Sequence, residues 1–329
     1  MRIPYELRCS KRLPCEGIRP VRERSRRATI AIVPNRAASM PATLSSQTIS
    51  DALHTATVML ERSSSSPRLD AELLLEHVTG LTRTSFRASP ERELPTAAGW
   101  SFQQLVKRRM QGEPIAYIRG HQEFWSLLFE VNSDVLIPRP ETELLVERAL
   151  EHIGDQQASR VADLGTGSGA VGLSIAHERP TIVMHATDVS PRALDVAARN
   201  AARLNIRNVK FAQADWFAGL ADAQFDLIVS NPPYIAENDP DLQPQVRKHE
   251  PMGALIAGRT GLEAIEHIIA NAGRYLVSGG WLALEHGWKQ APAVRNLLVR
   301  HGFTHVRSHA DLSGHERVTE GQKRLAVGG

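Results

Sequence analysis

The sequence predicts an α/β protein that combines a small helical domain with a doubly wound, mostly parallel β-sheet. Residues 47–112 have the spacing of apolar side chains that is typical of helices. After residue 143, short apolar segments alternate with helical segments, which is typical of a parallel sheet covered by helices on both faces. A glycine-rich loop, Gly165–Gly169, lies between one of these strands and the following helix.

Two helices can be placed in the helical domain, for which we expect bounds of 40–118. Ser66 has the residue type of an N-cap, Pro67 suits the first helical position, and Gly80 ends the pattern. The apolar face that we expect of this helix consists of Leu69, Leu73, Leu74 and Val78. A second helix is expected over 95–110.

A β-hairpin is expected between the two domains, within residues 119–142. Large apolar residues of this segment surround Asn132-Ser133-Asp134, a tripeptide whose residue types favour turns. The hairpin links the helical domain to the α/β domain, for which we expect residues 143–329.

The elements of the α/β domain follow from local residue patterns. Apolar runs predict strands over 160–164, 181–187, 209–213, 225–229, 280–285, 303–308 and 317–327. We expect the last two strands to pair at one edge of the sheet. Helices are expected over 170–178 and 261–276, and a third begins at Ser190 and Pro191, an N-cap residue followed by proline. Its expected core face consists of Leu194, Ala197, Ala198, Ala201 and Leu204.

Residues 1–39 form a basic segment that differs from the rest of the chain. They contain ten lysines or arginines and three glutamates, a net charge of +7; the whole chain has +3, which leaves −4 for the other residues. Overall basic charge therefore gives little support to a nucleic-acid-binding function. The segment is a disordered tail, a targeting peptide, or upstream sequence translated from a start assigned too early. Met40, at the first organised segment, favours the last explanation.

Both cysteines, Cys9 and Cys15, lie in the basic segment, so the rest of the chain has no disulfide, thiolate nucleophile or Cys-ligated metal. This is compatible with a reducing cytoplasm, where we expect the protein to be. No apolar run approaches the ~18 residues needed to cross a membrane. We also expect no metal, because no histidine pair has metal-ligand spacing with a carboxylate on a common helix face.

The glycine loop and Asp188 predict a ligand site. Glycines after the first strand of the sheet let a ligand approach the main chain, and Asp188, at the end of the next strand, can accept hydrogen bonds from ribose hydroxyls. The spacing Gly165-x-Gly167-x-x-Ala170 also fits the dinucleotide fingerprint. NAD and S-adenosylmethionine therefore both remain possible here, as does a tight turn followed by a helix cap at Asp188.

The motif Asn231-Pro232-Pro233-Tyr234 directly follows an apolar strand segment. Its two prolines stiffen the backbone, and Pro233 restricts Pro232 to extended conformations. The Asn231 side chain and the Pro232 carbonyl can therefore present hydrogen-bond acceptors in fixed positions. Tyr234 can stack on a planar group. The alternative is a turn with a surface tyrosine, but the position of the motif after a core strand argues against it.

This arrangement suits methylation of a planar amide or amino nitrogen. Two acceptors can hold both N–H groups and leave the nitrogen lone pair facing a methyl sulfonium, so that positioning is the main catalytic contribution. No strong base is required, because the nitrogen becomes acidic as it acquires the methyl group. A dehydrogenase has no use for such a motif. The sequence therefore favours an S-adenosylmethionine-dependent enzyme with the Rossmann-like class I methyltransferase fold.

With these motifs, the chain resembles the peptide chain release factor N5-glutamine methyltransferases over about residues 45–325. The motifs that carry the resemblance are Asp70–Leu75, Ile137–Glu143, Asp163–Gly169, Asn231–Tyr234, Glu250-Pro251 and Asp311–Arg317. The resemblance implies that S-adenosyl-L-methionine methylates the glutamine of a Gly-Gly-Gln loop in class 1 peptide chain release factors. It also implies that the helical domain helps to dock this protein partner.

The resemblance further implies the residues of the site. Those expected to bind the cofactor are Gly165, Thr166, Gly167, Ser168, Gly169, Asp188, Trp216 and Asn231. Those expected to hold the glutamine are Asn231, Pro232, Pro233 and Tyr234, with Asn231, Pro232 and Tyr234 catalytic. The loop approaches the methionine part, Asp188 the ribose and Trp216 the adenine, although Trp216 also fits a core aromatic. Arg139 and Pro140 border the cofactor pocket, or Pro140 and Glu141 simply begin a helix.

Three other functions remain as alternatives. A ribosomal-protein glutamine methyltransferase has a similar architecture, but the junction Arg139–Glu143 favours the release-factor enzyme. A DNA adenine-N6 methyltransferase can carry the same four-residue motif, but it needs a basic target-recognition surface. A non-catalytic module would bind the cofactor without methyl transfer. We expect a monomer that contacts neither nucleic acid nor membrane directly.

Overall fold

The computed structural model of the protein describes residues 47–154, 158–218, 220 and 224–325. The predictions made for residues 1–39, Met40 and both cysteines therefore fall outside the described residues. Within the described part of the chain, no helix is long and apolar enough to cross a membrane.

The first part of the described chain is helical, as predicted. Its elements are β1 (Gln47–Thr48), α1 (Ile49–Leu60), α2 (Pro67–Thr79), α3 (Arg83–Ala88), β2 (Glu93–Leu94), α4 (Thr96–Met110) and α5 (Ile115–Arg119). β1 and β2 pair in antiparallel fashion. Helices α1, α2 and α4 pack together around an apolar core that includes Leu53, Leu74 and Phe102.

Helix α2 has the predicted bounds, but its core face differs from the predicted one. Leu69 is 38% exposed, whereas Leu74 is fully buried. The prediction was wrong at Leu69 because α1 and α4 both pack on α2 and shift the buried face. The polar Asp70 is buried as well, since Nε of Arg109 donates to its carboxylate at 2.7 Å. Ser66 precedes α2 without making a capping hydrogen bond.

The predicted hairpin is present, but its turn lies elsewhere. Its two strands are β3 (His121–Phe124) and β4 (Leu127–Glu130). Trp125 and Ser126 form the turn with φ angles of 53° and 57°, which glycine and asparagine usually supply. The backbone N–H of Trp125 donates to Glu143 at 2.8 Å and its indole N–H to Glu178 at 2.9 Å, so tertiary contacts hold this turn. Residues 132–134 follow the hairpin instead of forming its turn.

The second part of the chain forms the predicted sheet with helices on both faces. Its helices are α6 (Glu143–His152), α7 (Ala170–Glu178), α8 (Pro191–Arg203), α9 (Pro244–His249), α10 (Glu263–Tyr275) and α11 (Ala291–Arg300). Its strands are β5 (Arg160–Leu164), β6 (Val183–Asp188), β7 (Val209–Gln213), β8 (Phe225–Ser230), β9 (Ile235–Ala236), β10 (Ile256–Gly258), β11 (Leu276–Glu285), β12 (Phe303–Ala310) and β13 (Glu316–Lys323).

Seven strands form the main sheet, in the order β12-β13-β11-β8-β5-β6-β7. Strands β5, β6, β7, β8 and β11 are parallel, while β13 is antiparallel to both β11 and β12. The predicted doubly wound fold and its terminal strand pair are therefore confirmed. A helix that begins at Pro140 and Glu141 was one of two interpretations, and the turn there leads into α6. Sequence patterns did not predict α9, α11 or the short parallel pair of β9 and β10.

The predicted start of helix α8 is confirmed, but part of its predicted core face is wrong. The backbone N–H of Ala193 donates to the Ser190 hydroxyl at 3.2 Å, so Ser190 is a true N-cap. Ala198 is exposed and was wrongly placed on the core face. Asn200 is fully buried instead, because its amide Nδ2 donates to the carbonyls of Glu130 and Ser168 at 3.0 and 2.9 Å. This polar contact joins α8 to both the hairpin and the glycine loop.

The strand register brings the candidate site together. Leu164 of β5 and Leu284 of β11 both pair with Ser230 of β8. The residues that follow these strand positions, Gly165, Glu285 and Asn231, therefore lie side by side at one edge of the sheet.

Candidate functional site

Two adjoining clefts open at the carboxyl ends of the parallel strands. The first cleft has an empty volume of about 1170 Å³ and is lined by the glycine loop, Asp188 and Trp216. The second cleft has an empty volume of about 1130 Å³ and is lined by Tyr234, Glu285 and Trp288. Four residues line both and mark their border: Leu136, Arg139, Asn231 and Ala254.

The glycine loop bends sharply between β5 and α7. Gly165, Gly167 and Gly169 have φ angles of 72°, 57° and 84°, which glycine adopts without steric cost. Gly165, Thr166, Gly167 and Ser168 line the first cleft. Gly169 is not part of this lining; it is the N-cap residue directly before α7.

Asp163 stabilises this loop, a role that the sequence motifs did not indicate. One carboxylate oxygen, Oδ2, accepts hydrogen bonds from the Thr166 hydroxyl at 2.6 Å and from the Gly172 N–H at 3.0 Å. Burial raises the pKa of Asp163 to about 6, against the lowering effect of these two hydrogen bonds. The available signal was a carboxylate inside an otherwise apolar strand, just before the glycines.

Asp188 supports the loop and still has acceptor capacity. Its two oxygens accept hydrogen bonds from the N–H groups of Gly167 and Ser190, each at 2.9 Å. Burial raises the pKa of this carboxyl. A carboxylate has about four acceptor positions, so acceptor capacity remains for ligand hydroxyls beside these bonds and a weaker one from the Val189 N–H. The structural role and the ligand role are therefore compatible.

Trp216 packs in the core, as one of the two interpretations predicted, and it also lines the first cleft. Its ring is half-buried and packs against the apolar core that contains Phe217 and Ile228. The same ring lines the first cleft and lies over Gly165, where an added Cβ would be 3.5 Å from the ring. Trp216 is thus an aromatic wall of the first cleft as well as a packing residue.

The Asn-Pro-Pro-Tyr motif spans the border between the clefts. Asn231 lines both clefts, Pro233 lines only the first, and Tyr234 lines only the second. Pro232 is buried and its side chain lines neither. Gln290 also holds the motif, because its Nε2 donates to the Tyr234 carbonyl at 3.0 Å.

Glu285 and Thr142 lie beneath the motif. Nδ2 of Asn231 donates to the Thr142 hydroxyl at 3.3 Å, and the hydroxyl of Tyr234 donates to Oε1 of Glu285 at 3.2 Å. Both Thr142 and Glu285 are buried. The sequence motifs indicated a role for neither, because only the register of β8 and β11 brings Glu285 next to Asn231.

Arg139 and Glu250 connect the border of the clefts to the domain junction. The Arg139 guanidinium pairs with the buried Glu250 carboxylate, which also accepts the backbone N–H of Ile137 at 3.2 Å. Pro140 begins a short 3-10 turn, Pro140–Thr142, that leads into α6. Arg139 therefore borders the clefts, whereas Pro140 lines neither of them and starts a helical turn.

His286 and His249 differ in their hydrogen bonds. Nε2 of His286 hydrogen-bonds the Thr319 hydroxyl at 2.7 Å, and Nε2 of His249 is buried without a hydrogen-bond partner. Among the described residues, no group of three or more His, Cys, Asp or Glu side chains could hold a metal ion.

Two family models match the chain. The PrmC N-terminal domain matches residues 51–120, and the Methyltransferase small domain matches residues 140–247. The first match covers the helices α1 to α5, and the second covers the glycine loop, Asp188 and the Asn-Pro-Pro-Tyr motif.

Curated relatives match most of the chain. The release factor glutamine methyltransferase of Salmonella typhimurium is 48% identical over 270 residues, which cover 82% of this chain and 97% of that protein. The protein of the same name from Escherichia coli is 48% identical, with 79% of this chain and 94% of that protein covered. The one from Coxiella burnetii is 49% identical, with 78% and 91% covered.

Proposed function

Because the chain belongs to the release factor glutamine methyltransferase family, we propose that it methylates the side-chain amide nitrogen of the Gly-Gly-Gln glutamine in class 1 peptide chain release factors. The chain is a glutamine methyltransferase with the class I methyltransferase fold. The observation that carries the proposal is the position of Asn231, which lies on the border between two clefts.

The residues of the first cleft fit S-adenosyl-L-methionine. Asp188 has free acceptor positions for ribose hydroxyls, Trp216 offers an aromatic face for adenine, and the backbone at Gly165 and Gly167 leaves room for the methionine part. When bound, the cofactor supplies an electrophilic methyl group on a sulfonium sulfur.

The second cleft provides the entry for the glutamine. A side-chain amide that enters beside Tyr234 meets Asn231 from the side opposite the glycine loop. Oδ1 of Asn231 and the carbonyl of Pro232 can accept the two N–H groups, which leaves the nitrogen lone pair directed at the first cleft. The aromatic ring of Tyr234 offers a face for the planar amide.

Positioning is the main catalytic contribution of these residues. Transfer forms an N–CH₃ bond and breaks the S–CH₃ bond, whose electron pair stays on sulfur, and the nitrogen releases one proton to water. Because this N–H becomes acidic only as the new bond forms, its acceptors interact more strongly in the transition state than with the bound glutamine. Such differential binding raises the rate of the chemical step.

We further propose that the helical part of the described chain, residues 47–118, contacts the release factor outside its glutamine loop. Support comes from its position on the substrate side: Nζ of Lys248, in α9 beside the second cleft, donates to the carbonyl of Gln111, the residue that ends α4. A partner that reaches into the second cleft therefore meets this helical surface as well.

Methyl transfer from labelled S-adenosylmethionine tests the function. Purified release factor, total ribosomal protein and duplex DNA are offered separately, and the labelled products are mapped by peptide mass spectrometry. We expect label on the Gly-Gly-Gln glutamine, and none on a release factor with alanine at that position. Label confined to ribosomal protein or DNA, or no transfer at all, would contradict the proposed substrate.

A further inference from the structure

A buried polar network lies beneath the Asn-Pro-Pro-Tyr motif and takes no direct part in the transfer step. Its members are Thr142, at the end of the 3-10 turn before α6, and Glu285, at the end of β11. Their exposed fractions are only 3% and 2%. Thr142 lines the first cleft and Glu285 the second, but with so little exposure their polar atoms depend mainly on partners within the protein.

Hydrogen bonds connect this network to both ends of the motif. The Asn231 amide donates through Nδ2 to the Thr142 oxygen at 3.3 Å, and the Tyr234 hydroxyl donates to Glu285 at 3.2 Å. Burial raises the pKa of Glu285 to about 7, while the hydroxyls of Thr142 and Tyr234 and the positive charge of Arg317 act in the opposite direction. Oε2 of Glu285 is buried without a hydrogen-bond partner, and the Thr142 hydroxyl lies near enough to this carboxylate to lower its pKa.

The polarity of the Thr142 hydroxyl determines which side of the Asn231 amide faces the clefts. A threonine hydroxyl has one proton to donate and two lone pairs with which to accept. When Glu285 is ionised, it attracts that proton, so the Thr142 oxygen can only accept from the Asn231 amide. The NH₂ group of Asn231 then faces Thr142, and its carbonyl oxygen is left to face the clefts.

We propose that Thr142 and Glu285 are positioning residues that hold the Asn231 amide in the one orientation that offers an acceptor to the substrate amide. The inference rests on the proposed function. Without the network, the Thr142 proton is free to point at Asn231, and the amide rotates by half a turn. Asn231 would then direct an N–H at the N–H groups of the glutamine, which would repel the reacting nitrogen and cost it one acceptor.

The test compares three variants in methyl transfer to release factor. Thr142→Val keeps the shape of the side chain and removes the hydroxyl, whereas Thr142→Ser keeps the hydroxyl. We expect Thr142→Val to lower kcat about 100-fold, the loss that a misplaced reacting group causes, with Thr142→Ser restoring most of it. Thr304→Val is the matched control, because it removes a hydroxyl that donates to Gln322 in β13 and lines neither cleft.

Two further readouts separate positioning from a structural role. The affinity for S-adenosylmethionine, measured by calorimetry, should be the same in Thr142→Val and wild type, and so should the KM for release factor. Glu285→Gln should also lower kcat, because a neutral amide at this position no longer directs the Thr142 proton, while its melting temperature at pH 8 is no lower than that of wild type. The inference would be overturned if Thr142→Val lost cofactor affinity by the same factor as it lost kcat. It would also be overturned if Thr142→Val and Glu285→Gln both kept the wild-type kcat.

A measurement without substrate distinguishes this inference from the proposed function. In protein labelled with ¹⁵N-asparagine, the Asn231 side-chain signals are identified by their loss in Asn231→Ala. We expect them to shift in Thr142→Val and Glu285→Gln, but not in Thr304→Val. If the signals shift but the enzyme does not methylate release factor, the positioning role is supported and the proposed substrate is contradicted. If the signals do not shift but the enzyme methylates release factor, the positioning role is contradicted.

Discussion

The two clefts differ in how the chain builds them. Much of the first comes from one continuous stretch, residues 163–193, which contains the end of a strand, the glycine loop, a helix and Asp188. The second gathers four separated segments: 136–139, 231–255, 285–290 and Arg317. Local sequence therefore encodes much of the proposed cofactor cleft, whereas only the assembled sheet creates the proposed substrate cleft.

This difference predicts separable defects. Changes to the continuous stretch should weaken cofactor binding and leave the release factor bound as before. Changes to the assembled cleft should alter turnover or substrate binding and leave cofactor affinity intact. Asn231, which lines both clefts, is where the two kinds of defect meet.

Substitution at the border should have the largest effect. Asn231→Ala removes an acceptor for the reacting nitrogen, and we expect the single-turnover rate to fall about 1000-fold or more. Asn271→Ala is the control, because its amide only donates to the His267 carbonyl on the exposed face of α10. Near-normal turnover in Asn231→Ala would remove Asn231 from the mechanism.

Substitution at Asp188 should affect the first cleft and not the second. Asp188→Asn keeps the shape and removes the charge, so we expect cofactor affinity to fall by about 1–3 kcal/mol, or roughly 5- to 150-fold. The KM for release factor should not change. Calorimetry measures the affinity, with Asp195→Asn on the exposed face of α8 as the control. Equal affinities in the two variants would place the ribose elsewhere.

The pH dependence of turnover should report on the substrate side. Burial raises the pKa of Glu285 to about 7 against the effects of Thr142, Tyr234 and Arg317, and Glu141 raises it further. As pH falls through this value, Glu285 becomes protonated, attracts the Thr142 proton less strongly and can itself donate to the Thr142 oxygen. We therefore expect kcat to be highest above about pH 7 and to fall up to tenfold per unit below it. Glu285→Gln should abolish this acidic limb; its persistence would assign the limb to another group.

Substitution of Gly261 should have the smallest effect on function, and the effect should be confined to the second cleft. Its φ angle is 79°, and an added Cβ would lie 2.6 Å from the Tyr234 carbonyl oxygen. We expect Gly261→Ala to cost about 1–3 kcal/mol of unfolding free energy and to raise the KM for release factor a few-fold. Gly273→Ala, in α10 with no atom within 4 Å of the added Cβ, should be neutral or slightly stabilising. Denaturant unfolding distinguishes the two, and equal stabilities would contradict the close contact.

Much of the fold could be predicted because its signals are local. Apolar runs marked the strands, and Ser190-Pro191 marked the start of α8. The hairpin turn at Trp125 and Ser126 could not be predicted, because hydrogen bonds to distant glutamates hold a backbone that these residue types disfavour. The prediction for Leu69 was wrong for a related reason, since packing by two helices decides which face of α2 is buried.

The candidate site divides in the same way. Contiguous sequence motifs were sufficient to locate the glycine loop and Asn231. Thr142 and Glu285 gave no local signal, because their significance depends on the pairing of Leu284 with Ser230 and on the turn that leads into α6. The residues proposed to bind ligands can be found from a sequence motif. The residues proposed to orient them can be found only once the strand register is known.

The most direct test of the account is the crystal structure of the protein with S-adenosylhomocysteine and a peptide that contains the Gly-Gly-Gln sequence. We expect the cofactor product in the first cleft and the glutamine side chain in the second, with its amide nitrogen within hydrogen-bond distance of Asn231 Oδ1 and with Asn231 Nδ2 still on Thr142. A glutamine that reaches the sulfur by another route, without contact to Asn231, would contradict the account.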